Sequence, residues 1–310
     1  MVYRVGSHGS SVNLIQRRLA SLGLYKGPVD GNFGGGTDAA LRAYQKKQGL
    51  TVDGVVGEIT WKKLFPSMTT PSDPVPYNLN RKVLELTGTF ETSSPPPECF
   101  SAINGDFDGQ GISFGALQWN LGQGTLQALL SRMAVDHQEL MSDIFGLKYP
   151  ELVRNLLSTG NRKAHVIWSK TIQDSRGRII EPWLGYFKVL GRTTEFQQIQ
   201  IDAADVISDR AASMTREYGL KSQRAIALMF DIVVQNGGIP NVVKSRILRE
   251  RKNNELDMLF VIADCRADAV NPRWVEDVRA RKQTIAAGAG VVHGRYYNLE
   301  SQYGITLDLV

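Results

Sequence analysis

The stretch Gly88-Thr89-Phe90-Glu91, followed after a proline-bearing connection by Gly105-Asp106-Phe107-Asp108-Gly109-Gln110-Gly111-Ile112-Ser113-Phe114-Gly115, decides the architecture of most of this chain. Upstream of it, Leu79, Val83 and Leu86 recur at helical spacing and predict a helix ending at Gly88, with Glu91 just past its C-terminus. The glycine-rich run 105–111 reads as a turn. Ile112, Phe114 and Ala116 then alternate with Ser113 and Gly115, which predicts a β-hairpin or small sheet within residues 101–119. The remainder is patterned as helix: one helix marked by Ile201, Ala204, Ile207, Ala211 and Met214, a central apolar one by Ala225, Leu228, Met229, Ile232 and Val233, and a late one by Trp274, Val278, Arg281 and Ile285. Gly288 ends the last. Residues 78–310 are therefore expected to form a mainly helical α+β domain, a helical lobe with one small β insertion.

The same stretch holds two kinds of carboxylate. A helix C-terminus carries partial negative charge that disfavours a carboxylate by about 0.3–1 kcal/mol, which is under one pKa unit at about 1.36 kcal/mol per unit. Burial beside Phe90 has to supply the rest for Glu91 to serve as an acid near neutral pH. Asp108 lies in a polar turn where solvent and backbone N–H groups keep it ionised, and Asp106 is the alternative for that position. One acid raised and one low is the pairing that glycosidic cleavage needs. Gln118, Trp119 and Asn120 close the hairpin and suit a sugar groove, with Trp119 equally suited to core packing. Asp231, Gln235 and Asn236 share one side of the central helix, as a cleft floor or as an internal hydrogen-bond network.

Glu91, then Asp108-Gly109-Gln110-Gly111-Ile112-Ser113-x-Gly115, then Gly122-Gln123-Gly124-Thr125-Leu126, resembles the helix-end Glu and hairpin Asp-x-x-Gly-x-Thr/Ser-x-Gly of the lysozyme-like superfamily. The spacing is similar to that of its chitosanase branch, and phage-type lysozymes share the order. The resemblance covers about 40 residues and implies Glu91 as general acid, Asp108 as second carboxylate and Ser113, in place of the commoner Thr, as the holder of the attacking water.

The N-terminal 65 residues contain an internal repeat. A shift of 23 places superimposes Val29-Asp30-Gly31 on Val52-Asp53-Gly54, Gly34 on Gly57, Thr37 on Thr60 and Leu41 on Leu64. Each copy is an Asp-Gly turn feeding a helix, with the Thr placed to cap it. Before the first copy, Val12, Ile15, Leu19 and Leu22 mark a helix capped by Ser10 and Ser11 and stopped by Gly23. This predicts a three-helix module. Gln16-x-x-Leu19-x-x-Leu22-Gly23, the two Asp-Gly segments, Tyr44-Gln45 and Thr60-Trp61 resemble the small peptidoglycan-binding domain found on many cell-wall hydrolases. The resemblance implies a wall-binding groove near the Asp-Gly turns, with Tyr25, Asn32, Tyr44 and Trp61 as exposed contacts. Residues 66–77 contain four prolines in twelve positions and read as a semi-extended linker.

Composition bounds the rest. At 310 residues, 42% hydrophobic and 22% charged, the chain is an ordinary globular protein of about two domains. Its greasiest stretch, Ala225 to Val234, is interrupted by Asp231 and too short to span a bilayer. Thirty-six Lys and Arg against 31 Asp and Glu leave +5, a bias toward anionic polymers that names no partner. Cys99 and Cys265 are expected as reduced, buried thiols. His8, His137, His165 and His293 show no zinc spacing, and the Asp106-x-Asp108-x-Gln110 loop lacks the bidentate Glu of a calcium site. No metal, cofactor or nucleic-acid partner is expected. With no segment of signal-peptide character at Met1 to His8, the expectation is an endolysin-like monomer, made in a host cytoplasm and released through holin pores to the wall. The expected reaction is cleavage of the β-1,4 bond between N-acetylmuramic acid and N-acetylglucosamine. The rivals are a lytic transglycosylase, a chitosanase and a non-catalytic wall-binding component of a phage particle.

Overall fold

Amphipathic helices dominate both units of the computed structural model, which describes residues 3–7, 10–66, 79–158 and 160–310 and divides the chain into Met1–Asn78 and Leu79–Val310. The expected linker, beyond Pro66, lies outside the described residues, as do His8 and the side chains of Ser10 and Ser11.

In the first unit α1 (Ser10–Ser21), α2 (Gly35–Lys47) and α3 (Glu58–Leu64) enclose Ile15, Leu19, Phe33, Leu41, Val56 and Leu64. Each Asp-Gly turn is pinned by a buried glutamine. Gln16 donates Nε2–H to Asp30 Oδ1 and accepts the Gly31 N–H, both at 2.8 Å. Gln45 repeats the pattern with Asp53 at 2.7 Å and Gly54 at 2.9 Å. Asp30 and Asp53 also accept the N–H two residues on, from Asn32 and Val55, so the repeated Asp-Gly pairs are Asx turns that hold the fold. The threonines do not cap. The helices start behind Gly34 and Gly57, which carries Thr37 and Thr60 into the first turn, where both are buried. Tyr44 and Trp61 are core residues too, 4% and 1% exposed, because their rings complete a centre too small to close without them.

The second unit runs α4 (Leu79–Thr92), β1 (Ile103–Asn104), β2 (Ser113–Phe114), β3 (Trp119–Asn120), α5 (Thr125–Asp136), α6 (Gln138–Phe145), α7 (Tyr149–Leu152), α8 (Arg162–Thr171), α9 (Trp183–Arg192) and α10 (Thr194–Ala203). It continues with α11 (Asp205–Glu217), α12 (Gln223–Asn236), α13 (Asn241–Arg249), α14 (Glu255–Asp268), α15 (Val275–Ala287), β4 (Ala289–Val292), β5 (Arg295–Asn298) and α16 (Leu299–Tyr303). It is mostly helical with two small antiparallel sheets, β1-β2-β3 and β4-β5.

Three local readings change. The first helix does not stop at Gly88 but continues to Thr92. Gly88 is there for close approach, since a Cβ on it would lie 2.9 Å from Ala116 Cβ and 3.2 Å from the Ala116 carbonyl. The helix expected over 201–214 is two, α10 and α11, with buried Ala204 between them. A second hairpin follows α15: Gly288 ends the helix in the left-handed region as expected, and His293 and Gly294, both at positive φ, turn β4 back into β5.

Two apolar clusters fill this unit. One gathers α4, α11, α12, α14 and α15, and the other gathers β2, α5, α6, α8 and α9. Gln200 of α10 ties the β2–β3 corner between them, accepting the Ala116 N–H at 2.9 Å and donating to the Phe100 carbonyl at 3.0 Å. Cys99 and Cys265 are free and buried, and burial pushes both thiols up. Among the described residues no helix is long and apolar enough to cross a membrane, and no His, Cys, Asp and Glu cluster could hold a metal ion.

Candidate active site

Because α4 runs past Gly88, Glu91 sits inside its last turn rather than beyond it, with its side chain 27% exposed. Beneath it lies a chain of buried charges from α12 and α15. Arg281 of α15, 3% exposed, donates Nη2–H to Glu91 Oε1 at 2.7 Å and holds Asp231 Oδ1 of α12 at 2.6 Å. Its guanidinium also lies 5.1 Å from the centre of the Phe90 ring. Lys282, fully buried, bonds Asp231 Oδ2 and donates to Gln235 Oε1 at 2.6 Å. Gln235 donates on to Asp277 at 3.3 Å, and Asp277 pairs with His293 Nε2 at 2.6 Å.

Asp231 lies between the two buried cations and bonds both, and such pairing is the condition for burying charge. Burial opposes ionisation of Asp231, but Arg281 and Lys282 outweigh it and hold the carboxyl below its usual range. Burial pushes the Lys282 ammonium down to about 8, against the attraction of Asp231. Asp231 is thus the anchor of an internal network and not a cleft floor. Gln235 is a relay in the same network. Asn236 leaves it, with its Oδ1 lacking a hydrogen-bond partner among the described residues. The sequence pattern marks Arg281 only as a helix position and does not point to Lys282, although a charged residue at an apolar position of Val278-x-x-Arg281-x-x-x-Ile285 is a legible signal.

The β1–β2 loop separates the two aspartates. Asp108 is exposed, and its Oδ1 accepts the Gln110 N–H at 3.0 Å, an Asx turn. Asp106 is turned away against the end of α8, its side chain 6% exposed and 3.8 Å from the Lys170 ammonium. On the strands, Ser113 Oγ accepts the Asn120 Nδ2–H at 3.0 Å, leaving the hydroxyl proton for another acceptor. Asn120 is buried and its Oδ1 accepts the Gln123 N–H, so it braces the hairpin rather than lining a groove. Gln118, at φ +52, donates to the Ala102 and Gly115 carbonyls and accepts from Asn104, which likewise makes it a turn brace. Trp119 is half-buried and packs on both apolar clusters. In the first unit, half-buried Tyr25 and Asn32 do line a common concavity of about 610 Å³ with Asp30 and Pro28.

Comparison with known proteins matches residues 8–64 to the family described as "Putative peptidoglycan binding domain". The chain is 38% identical over 80 residues to a spore cortex-lytic enzyme of Oceanobacillus iheyensis, covering 26% of this chain and 29% of that one. It is 38% identical over 77 residues to the N-acetylmuramoyl-L-alanine amidase CwlM of Mycobacterium tuberculosis, covering 25% and 19%. The chain thus spans less than a third of the length of these two curated relatives. Among solved structures it is similar to a GH46 chitosanase of Gynuella sunshinyii in complex with chitotetraose, at 13% identity and a TM-score of 0.48 over 72% of this chain and 98% of that one. These two relatives carry the names of a cortex-lytic enzyme and an amidase, and residues 8–64 of this chain match the peptidoglycan-binding domain family.

Proposed function

We propose that this chain is a peptidoglycan hydrolase that cuts the β-1,4 bond between N-acetylmuramic acid and N-acetylglucosamine. The observation that carries the reading is Glu91: a partly exposed carboxyl at a helix end, oriented by an arginine that is itself locked against buried Asp231. A group fixed this way meets the glycosidic oxygen in one orientation, which is where much of an enzyme's advantage arises. Glu91 donates the proton to the leaving oxygen. Asp108 is the second carboxylate, and Ser113, with its hydroxyl proton uncommitted, holds the attacking water. The family of residues 8–64 supports the wall as the partner, and tethering there raises the local concentration of glycan. The protein acts as a monomer on the wall after release from a host cytoplasm, as an endolysin does.

A lytic transglycosylase is favoured by one observation: Asp108 already serves as a turn residue for Gln110, and that reaction needs no second carboxylate. Release of soluble fragments from purified sacculi by wild type, Glu91→Gln and Asp108→Asn tests both. The hydrolase reading expects each variant to lose about 10²–10⁴-fold, the usual contribution of a general acid or base. Asp108→Asn retaining activity supports the transglycosylase. Undiminished release by Glu91→Gln overturns the enzyme assignment and leaves a wall-binding component, and turnover of chitosan in place of sacculi makes the chain a chitosanase.

A further inference from the structure

Phe107, one residue before Asp108, is 76% exposed, although burying such an apolar ring ordinarily stabilises a fold. Its neighbour Asp106 has the opposite anomaly. That side chain is 6% exposed, yet its Oδ1 has no hydrogen-bond partner among the described residues, and its Oδ2 meets only the Lys170 ammonium, at 3.8 Å. A buried acceptor left unused is destabilising, and more so when charged. Phe107, Asp106, Gly109, Lys170, Gln173 and Gly177 line one concavity of about 310 Å³, and neither Glu91 nor Ser113 belongs to it.

The wall of this concavity is held in place. Gln173 accepts the Asp106 N–H at 2.7 Å and anchors itself on the Ser169 carbonyl at 2.8 Å. Gly105 comes so close to the 173–177 turn that a Cβ on it would lie 1.6 Å from the Gly177 carbonyl oxygen. Asp174 also lines the concavity, but its carboxylate is already taken up by Arg178 and two backbone N–H groups. What is left for a ligand is one carboxylate oxygen, one ammonium and one aromatic face at the rim.

Those three features select the ligand. A cation would compete with Lys170 and an anion would face Asp106, so the balanced pair suits a neutral molecule with hydroxyl donors and acceptors. The Phe107 ring asks for an apolar face on that same molecule. A pyranose presents both, with hydroxyls around its edge and C–H bonds on its face. A volume at the lower end of the usual 300–1,000 Å³, about one small ligand, fits a single sugar unit. We infer that this concavity is a sugar subsite that takes one neutral pyranose of the glycan away from the bond being cut and steadies the loop that carries Asp108. The inference rests on the glycan-cleaving reading above.

The test uses the full chain carrying Glu91→Gln to block turnover, and two probes: the N-acetylglucosamine–N-acetylmuramic acid tetrasaccharide and N-acetylchitotetraose. Calorimetry measures their affinity with and without Phe107→Ala or Asp106→Asn, and amide NMR follows residues 105–111 and 173–177 during titration. Each substitution is expected to weaken both probes about tenfold, equivalent to about 1.4 kcal/mol, and the unsubstituted background to show shifts in both segments. Phe107→Ala sits on an exposed side chain, so a change in thermal midpoint is not expected. In the otherwise wild-type chain it should raise KM about tenfold and change kcat less than threefold. Equal affinities, or amides of 105–111 and 173–177 that do not move, overturn the subsite while leaving Glu91 untouched. Loss of affinity in Phe107→Ala alongside sacculi products with intact glycan overturns the cleavage reading and keeps the subsite as a binding site.

Discussion

Replacing Arg281 with methionine removes the cation that touches both Glu91 and Asp231. Asp231 is fully buried, and after the change it keeps the Thr87 hydroxyl at 3.4 Å and the Lys282 ammonium, which burial has already pushed down to about 8. Breaking a buried pair by deleting one partner costs about 3–5 kcal/mol, because an uncompensated charge stays behind. For a domain of about 150–250 residues, each kcal/mol moves the thermal midpoint by about 2–4 °C. The transition of the unit Leu79–Val310 should therefore fall by about 6–20 °C, read by calorimetry on the full chain. Arg281→Lys should lose less, since a single ammonium keeps the charge but cannot fork between two carboxylates. Asp231→Asn combined with Arg281→Met removes charge from both sides, so the double variant should recover at least about 1 kcal/mol relative to the sum of the singles. A fall of under about 2 °C for Arg281→Met, or strict additivity in the cycle, would refute the idea that these helices meet on a paired charge network.

Other expectations follow from individual contacts. Gly88→Ala drives a methyl into Ala116 Cβ and its carbonyl, and overpacking of this kind costs about 1–3 kcal/mol; an unchanged denaturation midpoint would show that α4 and the β2–β3 corner do not pack this closely. Gln45→Leu leaves the Gly54 N–H without its acceptor and should destabilise the first unit by about 1–3 kcal/mol without moving the thermal transition of the second, a selectivity that calorimetry resolves. Lys282 titrates near 8 in the fold against about 10.4 in an unfolded chain, so the unfolded chain binds more protons between those values and stability rises with pH there. Urea midpoints of wild type relative to Lys282→Met should climb from pH 8 to 10, and parallel pH curves would reject the assignment. Ser113→Ala should lower kcat on sacculi at least tenfold with little change in KM, whereas a pure KM effect would make Ser113 a binding residue.

The repeat of Asp-Gly turns was legible because it rests on local rules: an Asx turn and a glycine at positive φ read directly from adjacent residues. What pins those turns, Gln16 and Gln45, was visible only as letters in a motif, since a buried side-chain amide declares its partners only in three dimensions. The resemblance offers Tyr44 and Trp61 as exposed wall contacts, and a core too small to close without aromatic rings takes them instead. Gly88 illustrates the same limit from the other side. A glycine near a helix end looks like a stop, and here it is a contact surface for Ala116, so Glu91 moved from beyond the helix into its last turn. Glu91 and Asp108 stand out from spacing as candidate carboxylates, but the arginine that orients Glu91 comes from 190 positions downstream in the chain, and only the packing of α4, α12 and α15 brings it there.

Mass spectrometry of soluble fragments from purified sacculi, with and without borohydride reduction, tests the central claim most directly. Hydrolysis by this chain yields fragments ending in reducible N-acetylmuramic acid, and Glu91→Gln yields none. Fragments with intact glycan and severed peptides, or reducible ends produced equally well by Glu91→Gln, would contradict it.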